Sequence, residues 1–212
     1  MDNMTTNNEY LNLFLEISSA GTEGIKKIRE SLSNKFPHSF DIESNYSDNP
    51  LLSQFVFREK LVKIYAWAVT DSAAIKEIVK TSKDMGIIEI GAGTGYWASL
   101  LANCGVDVKA YDTGKDINIG FYHPVGNAGV KVVEKHKNRA LFLCWPPYNT
   151  SMAYDCVTEY SGNTLIYIGE SEMGCNANGD FFKYVDNNFK LDKIVDMAQW
   201  YSLHDNLYIY KR

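Results

Sequence analysis

The sequence predicts an α/β fold: a doubly wound, mostly parallel seven-stranded sheet with helices on both faces, an antiparallel last strand and an N-terminal helical extension. Three observations predict it. The 212 residues fit one domain with an extension. Short β-branched runs alternate with helical patterns from residue 86 onward. The last two strand patterns follow each other without an intervening helix, as in an antiparallel hairpin at a sheet edge.

Helical patterns fill the first part of the chain, so residues 1–58 are predicted to be a helical extension or cap and residues 59–212 the main domain. Apolar side chains share one helical face over residues 9–19 and again over residues 25–32. Residues 1–8, which are polar, are predicted to be disordered.

Two further helices are predicted before the first strand. Residues 37–50 contain few apolar side chains and are interpreted as a loop. Leu61, Ile64, Tyr65 and Ala68 then have helical spacing. Thr70 or Asp71 can cap the next helix. The elements predicted after it are strand 86–90, helix 96–103, strands 106–111, 130–133 and 141–145, helix 152–160, strand 164–168, helix 180–187, and strands 191–195 and 207–210.

Charge and cysteine content restrict the class of protein. A net charge of −5 disfavours a long nucleic-acid partner, because phosphate contacts need a basic excess. One basic run, Lys131–Arg139, is interpreted as a solvated loop. The four cysteines form no metal-ligand pattern and are expected to be reduced. With no secretory signal and no long apolar run, the chain is predicted to be cytoplasmic, with no membrane partner and no metal, and its oligomeric state stays open.

The strongest functional pattern is a strand that leads directly into glycines at positions 91, 93 and 95 and then into a helix. Such a turn lets a ligand approach the backbone amides closely. Tyr96 stands where a dinucleotide-binding turn has its last glycine, and its bulk would crowd a pyrophosphate. Asp112 ends the next strand, where a carboxylate can bind both ribose hydroxyls. A chance glycine-rich turn and a different nucleotide cofactor remain as alternatives.

This arrangement resembles the class I methyltransferases that use S-adenosylmethionine (SAM), whose first motif reads acid-x-Gly-x-Gly-x-Gly. Glu89 and the three glycines match that motif, and Asp112 matches the second one. The resemblance covers roughly residues 60–212 and implies that residues 59–212 form the SAM-binding domain. It also implies that the glycines line the methionine part of SAM while Asp112 holds the ribose. The predicted cofactor-binding residues are Glu89, Gly91, Ala92, Gly93, Thr94, Gly95, Tyr96, Trp97, Asp112 and Thr113.

The segment Trp145-Pro146-Pro147-Tyr148 ends the fourth predicted strand, at the edge where open α/β sheets bind ligands. The prolines stiffen the chain and leave carbonyls to accept from a substrate, and Tyr148 can stack on a flat ring. With Cys144, the string is similar to a group of predicted methyltransferases. It is also similar to the Asp/Asn-Pro-Pro-Tyr motif of amino methyltransferases acting on adenine, cytosine or glutamine, whose first residue accepts a hydrogen from the target amine. Trp145 offers only an N–H donor, so the chain departs from that motif at the acceptor. Trp145 could instead stack on the substrate or the adenine or pack in the core, and a plain strand terminator is the alternative for the whole segment.

Two further polar residues complete the predicted catalytic set. Glu170 closes the fifth strand at the same edge and can orient or deprotonate a nucleophile. His204 followed by Asp205 can supply a base with an orienting acid. A solvated strand end and a structural loop histidine are the alternatives for these residues. The predicted catalytic residues are Trp145, Pro146, Tyr148, Glu170 and His204.

Together these patterns predict transfer of a methyl group from SAM to nitrogen or oxygen of a small-molecule or protein substrate. Two alternatives stay open. One is an amino methyltransferase acting on a nucleic-acid base, which Pro146-Pro147-Tyr148 favours. The other is a non-catalytic SAM-binding module in which Trp145 marks a lost site.

Overall fold

The computed structural model describes residues 8–40, 49–114 and 119–212, and seven strands in these ranges form one sheet in the order β3-β2-β1-β4-β5-β7-β6. Strand β7 runs antiparallel to both of its neighbours, while the other pairs are parallel. The predicted fold class is confirmed. The strands are β1 Ile87–Ile90, β2 Val108–Asp112, β3 Val125–Asn127, β4 Ala140–Cys144, β5 Thr164–Gly169, β6 Lys190–Asp196 and β7 Asn206–Lys211.

Helices cover both faces of the sheet. None of the helices in the described part of the chain has the length and apolar character that crossing a membrane requires. The helices are α1 Glu9–Ser19, α2 Thr22–Lys35, α3 Pro50–Ile64, α4 Ser72–Ser82, α5 Tyr96–Asn103, α6 Met152–Glu159 and α7 Gly179–Asn188, with a 3-10 helix over Val130–His136.

Strand β1 lies at the centre of the sheet and is buried on both faces. Alternate side chains of a strand point to opposite faces. Ile87 packs in the core that includes α4 and α5, whereas Ile88 and Ile90 pack in the core that includes α6 and α7. The turn that follows β1 therefore emerges between the two helix layers, at the carboxyl edge of the sheet.

A third core joins the N-terminal helices to the rest of the chain. The rings of Tyr10 and Tyr65 stack with centroids 5.1 Å apart, and Phe14 packs edge-on against Trp200 at 5.0 Å. Trp200 Nε1 donates a hydrogen bond to the Tyr10 hydroxyl at 3.0 Å. The predicted boundary between residues 58 and 59 falls inside α3, which belongs to this core.

The third strand was predicted over residues 130–133 and that prediction is wrong, since these residues begin a 3-10 helix. The strand lies over Val125–Asn127, where Ala110 pairs with Val125 and Tyr111 with Gly126. A Cβ at position 126 would lie 2.8 Å from the Tyr111 ring, so glycine permits this close pairing. A β-branched run favours a strand locally, but the pairing partner decides where the strand forms.

Two predicted boundaries near the N-terminal helices also change. Helix α3 ends at Ile64 rather than continuing to Ala68, because the chain turns at Tyr65 and its ring packs into the third core. Of the segment predicted to be disordered, residues 1–7 lie outside the described residues. Asn8 is buried, and its side chain accepts a hydrogen bond from the Thr70 hydroxyl at 2.6 Å. Residues 41–48 of the predicted loop also lie outside the described residues, while Asp71 caps α4 as predicted.

Tyr10→Phe removes the hydroxyl that accepts from the Trp200 indole. It leaves a buried N–H without a partner, so we expect the free energy of unfolding to fall by about 1–3 kcal/mol in urea denaturation. Tyr148→Phe, at an exposed ring, is the control and should change it by less than about 0.5 kcal/mol. Equal effects of the two substitutions would show that this hydrogen bond does not hold the N-terminal helices in place.

Candidate active site

The glycine turn after β1 has a backbone that side chains disfavour. The φ angles of Gly91, Gly93 and Gly95 are 77°, 51° and 77°, all in the left-handed region. A Cβ at position 95 would lie 2.9 Å from the His123 carbonyl oxygen, and one at position 91 would lie 3.0 Å from Met152 Cε. At Gly93 a Cβ would meet nothing within 4 Å. The two ends of the turn therefore pack closely against the protein, whereas the space around Gly93 in its middle is open.

Asp112 lies beside this turn, as the sequence predicts. Strands β1 and β2 pair in parallel with Ile90 opposite Tyr111, which brings the ends of both strands together. Gly93 N donates to Asp112 Oδ2 at 3.0 Å, and Gly114 N donates to Asp112 Oδ1 at 3.4 Å. A carboxylate has about four acceptor positions, so Asp112 keeps acceptor capacity for a ligand.

Glu89 is buried beneath the turn, with only 2% of its surface exposed. Burial, with a smaller contribution from the negative charge of Asp112, raises the pKa of Glu89 from 4.5 to about 8. Glu89 Oε2 has no hydrogen-bond partner among the described residues. A buried carboxyl with a free oxygen can accept a hydrogen bond from a cationic group of a ligand.

The remaining predicted cofactor-binding residues differ in their surroundings. The Thr94 hydroxyl donates to the Tyr65 carbonyl oxygen and accepts from Tyr96 N at 3.3 Å. Trp97 is buried in the sheet core, edge-on to Phe142 at 5.9 Å. These residues connect the turn to the rest of the protein, and their direct contact with a cofactor stays a prediction. The residues of the predicted set that are partly or fully exposed are Gly91, Ala92, Gly93, Asp112 and Thr113.

Trp145 follows β4 in a left-handed conformation, with φ 50°. Its indole Nε1 donates to Asp205 Oδ1 at 2.7 Å. Its ring stacks on Trp67, with centroids 5.6 Å apart and planes 12° from parallel. The Arg58 guanidinium lies 4.8 Å from the centroid of the Trp145 ring and 5.5 Å from that of Trp67. We call Arg58, Trp67, Trp145 and Asp205 the indole cluster.

Asp205 is fully buried, and the sequence did not identify it as a site residue in its own right. Burial raises the pKa of Asp205 from 3.8 to about 6, while the hydrogen bond from Trp145 opposes that rise. Asp205 Oδ2 has no hydrogen-bond partner among the described residues. The structure does not pair His204 with Asp205, since His204 Nδ1 instead lies 3.6 Å from Glu170 Oε1. The His204 ring is exposed, and Asp205 points inward.

Glu170 and Pro146 connect the loops at this edge. Glu170 Oε1 accepts from His204 N at 3.1 Å, and Oε2 accepts from Cys175 N at 2.7 Å. The Pro146 carbonyl, which we expected to face a substrate, accepts from Ala177 N at 3.1 Å. These hydrogen bonds connect the loops at this edge. Glu170 connects the loops after β5 and β6, and Pro146 connects the loops after β4 and β5. Their predicted catalytic roles stay predictions.

Exposed apolar side chains are found on several loops at the carboxyl edge. Phe121 follows β2, Tyr148 follows β4 and Met173 follows β5, and all three are more than half exposed. Trp67 is half exposed and stacks on Trp145, which follows β4. Exposed apolar surface beside a few oriented polar groups is typical of a site that binds an organic molecule.

No protein-family model and no curated protein sequence matches this chain. Among solved structures, it is similar to magnesium protoporphyrin IX methyltransferase from Synechocystis PCC 6803 with bound SAM, with 10% identity, 89% of this chain and 96% of that chain covered, and a TM-score of 0.48. It is similar to TehB from Haemophilus influenzae, with 10% identity, 73% and 66% covered, and a TM-score of 0.49. It is also similar to a protein of the NADB-Rossmann superfamily from Streptococcus agalactiae, with 13% identity, 68% and 71% covered, and a TM-score of 0.46. Because these likenesses are distant, the function of this chain is inferred from its own geometry.

Glu89→Gln removes a carboxyl whose pKa is about 8 in the folded protein and 4.5 ordinarily. As the pH rises through this interval, the unfolded chain loses this proton before the folded protein does. Wild-type stability should therefore fall relative to the variant from about pH 4.5 to about pH 8 and then level off. The difference in free energy of unfolding between the variant and the wild type is measured by urea denaturation at pH 4.5 and at pH 8.5. We expect it to shift in favour of the variant by about 2–4 kcal/mol between these two pH values. Glu16→Gln, at an exposed position, is the control, and a pH-independent difference for Glu89→Gln would contradict the raised pKa.

Proposed function

We propose that this chain is a SAM-dependent methyltransferase that acts on nitrogen or oxygen of a small-molecule or protein substrate. One observation carries the proposal: the open middle of a glycine-rich turn adjoins two carboxyl groups. Asp112 is hydrogen-bonded to that turn through Gly93 N, and Glu89 lies beneath it with an unpaired buried oxygen. A glycine-rich turn that bound no ligand would not require a buried carboxyl with an unpaired oxygen beneath it.

The chemistry of these groups fits SAM. Asp112 would accept hydrogen bonds from the ribose hydroxyls, since its oxygens have acceptor positions beyond those that the backbone uses. Glu89 would accept from the ammonium group, a cation that compensates a buried carboxylate. The turn at Gly93 would lie against the methionine part, because no side chain blocks it there. Thr94, Tyr96 and Trp97 would contribute by holding the turn in place.

Bound SAM supplies a methyl group activated by a positively charged sulfur. The tasks left to the protein are to orient a nucleophile toward that methyl group and to exclude water. The stacked indoles of Trp67 and Trp145 cover the end of β4 and would exclude water from it. The exposed ring of Tyr148 would stack on a flat substrate.

The position of the basic run supports a small-molecule or protein substrate over a nucleic acid. The run begins on the 3-10 helix Val130–His136 and continues toward the start of β4. Its last residue, Arg139, is bonded to Asp107 just before β2, at the amino edge of the sheet. The run therefore leads away from the carboxyl edge, where a phosphate backbone would need cations. The four cysteines are free, which supports our inference of a cytoplasmic location.

Isothermal titration calorimetry with SAM and with its demethylated product, S-adenosylhomocysteine, tests the cofactor site. We expect both to bind the wild type, and Asp112→Ala to bind them about tenfold to a hundredfold more weakly, because it removes hydrogen bonds to the ribose. Asp196→Ala is the matched control, since Asp196 is an exposed aspartate at the end of another strand. Absence of heat with either compound in the wild type would refute the proposed cofactor.

Transfer of labelled methyl groups into cell extract tests the reaction and the substrate class. The extract is divided into a small-molecule filtrate, a protein fraction and a nucleic-acid fraction before incubation with enzyme and SAM. We expect label in the filtrate or the protein fraction, and none when boiled enzyme is used. Label that appears only in nucleic acid would favour the base methyltransferase. Binding of SAM without label in any fraction would favour a non-catalytic module.

A further inference from the structure

Two polar side chains of the indole cluster have hydrogen-bonding atoms that the described residues leave unpaired. The Nε and Nη2 atoms of Arg58 are buried and have no hydrogen-bond partner among those residues, and the same holds for Asp205 Oδ2. Both side chains contact the Trp145 indole, Arg58 over its face and Asp205 at its Nε1. Buried groups of this kind cost free energy until a ligand or an ordered water pairs with them.

The two unpaired groups have complementary chemistry. Nε and Nη2 lie on the same edge of a guanidinium, and two parallel N–H donors on one edge match the two oxygens of a carboxylate. An ionised carboxylate such as Asp205 can only accept, and Trp145 already occupies Oδ1. Oδ2 is therefore suited to an N–H or O–H donor. A ligand that satisfies both groups carries a carboxylate and a hydrogen-bond donor in the same molecule.

The aromatic side chains around these groups restrict the ligand further. The indoles of Trp67 and Trp145 are stacked, and Trp67 is half exposed, so a ring face is accessible at the surface. Tyr148 follows Trp145 by three residues and exposes a second ring. Aromatic rings stack preferentially on other flat rings.

We propose that the indole cluster binds the methyl acceptor, and that this acceptor is an aromatic aminocarboxylate. Its carboxylate binds the Nε–Nη2 edge of Arg58, its N–H donates to Asp205 Oδ2, and its ring stacks against Trp67. The proposal rests on the proposed methyltransferase function and deepens it by assigning the substrate class. Asp205, which comes from the segment before β7, then supplies the acceptor that Trp145 lacks.

In the reaction that follows, the lone pair of the acceptor nitrogen forms the new nitrogen–carbon bond. The bond between that carbon and the sulfur of SAM breaks, and its electrons stay on sulfur, so the product is neutral S-adenosylhomocysteine. The proton leaves nitrogen for Asp205 Oδ2 and then passes to water. With a pKa of about 6, Asp205 is mostly ionised at neutral pH and is still basic enough to take this proton.

Binding of matched probes in the presence of S-adenosylhomocysteine tests the proposal on the wild type alone. The probes are anthranilate and 4-aminobenzoate, which carry both groups, benzoate, which lacks the N–H, and aniline, which lacks the carboxylate. We expect at least one aminobenzoate to raise Tm and to bind at least tenfold more tightly than benzoate or aniline in calorimetry. Equal binding of benzoate or aniline, or no binding by either aminobenzoate, would overturn the assignment.

Two substitutions then test whether Arg58 and Asp205 bind the aminobenzoates. Arg58→Gln removes the two-donor edge, and Asp205→Asn keeps an oxygen for the Trp145 N–H while replacing the second oxygen with a donor. Each should weaken aminobenzoate binding at least tenfold, whereas Lys27→Gln and Asp196→Asn, at exposed positions, should not. Circular dichroism checks that the variants fold, and unchanged aminobenzoate affinity in folded variants would overturn the proposal.

The outcomes separate this inference from the function on which it rests. If S-adenosylhomocysteine binds and the aminobenzoates do not, the cofactor site stands and the substrate assignment falls. If S-adenosylhomocysteine itself gives no heat and no shift in Tm, the methyltransferase proposal fails first.

Discussion

The hydrogen bond from Gly93 N to Asp112 Oδ2 connects the turn after β1 to the end of β2, and the candidate cofactor site is built around it. The turn has a left-handed backbone at all three glycines, a conformation that glycine adopts without strain. Strand β1 is buried on both faces at the centre of the sheet, so the turn cannot shift without disturbing two cores. A strand buried on both faces thereby positions the part of the site that a ligand would approach.

The N-terminal helices contribute to the same site rather than standing apart from it. Helix α3 carries Arg58, and the segment that follows carries Trp67 and Tyr65. Tyr65 stacks on Tyr10 of α1, whose hydroxyl accepts from the Trp200 indole. This aromatic core joins α1 to Tyr65, which precedes β1, and to Trp200, which lies between β6 and β7. The segments that carry the indole cluster are therefore held by elements from both ends of the chain.

The acidic residues at the carboxyl edge differ in how their oxygens are paired, and this separates structural from functional roles. Both oxygens of Glu170 accept hydrogen bonds from backbone N–H groups, so this carboxylate is fully paired and connects two loops. Glu89 and Asp205 are also buried, yet each keeps one oxygen without a partner among the described residues, and burial raises the pKa of both. Unsatisfied buried oxygens cost stability, which favours a ligand-binding role for these two residues.

The sequence by itself determined the alternation of strands and helices, the glycine turn and the place of Asp112, because strand period and glycine conformation act over a few neighbouring residues. It did not determine the third strand, where close pairing of Gly126 with Tyr111 outweighed the β-branched run at 130–133. Only the tertiary structure brought Arg58, Trp67 and Asp205 around Trp145, and placed His204 beside Glu170. Those contacts join residues far apart in the chain, and no local periodicity encodes which distant side chains will meet.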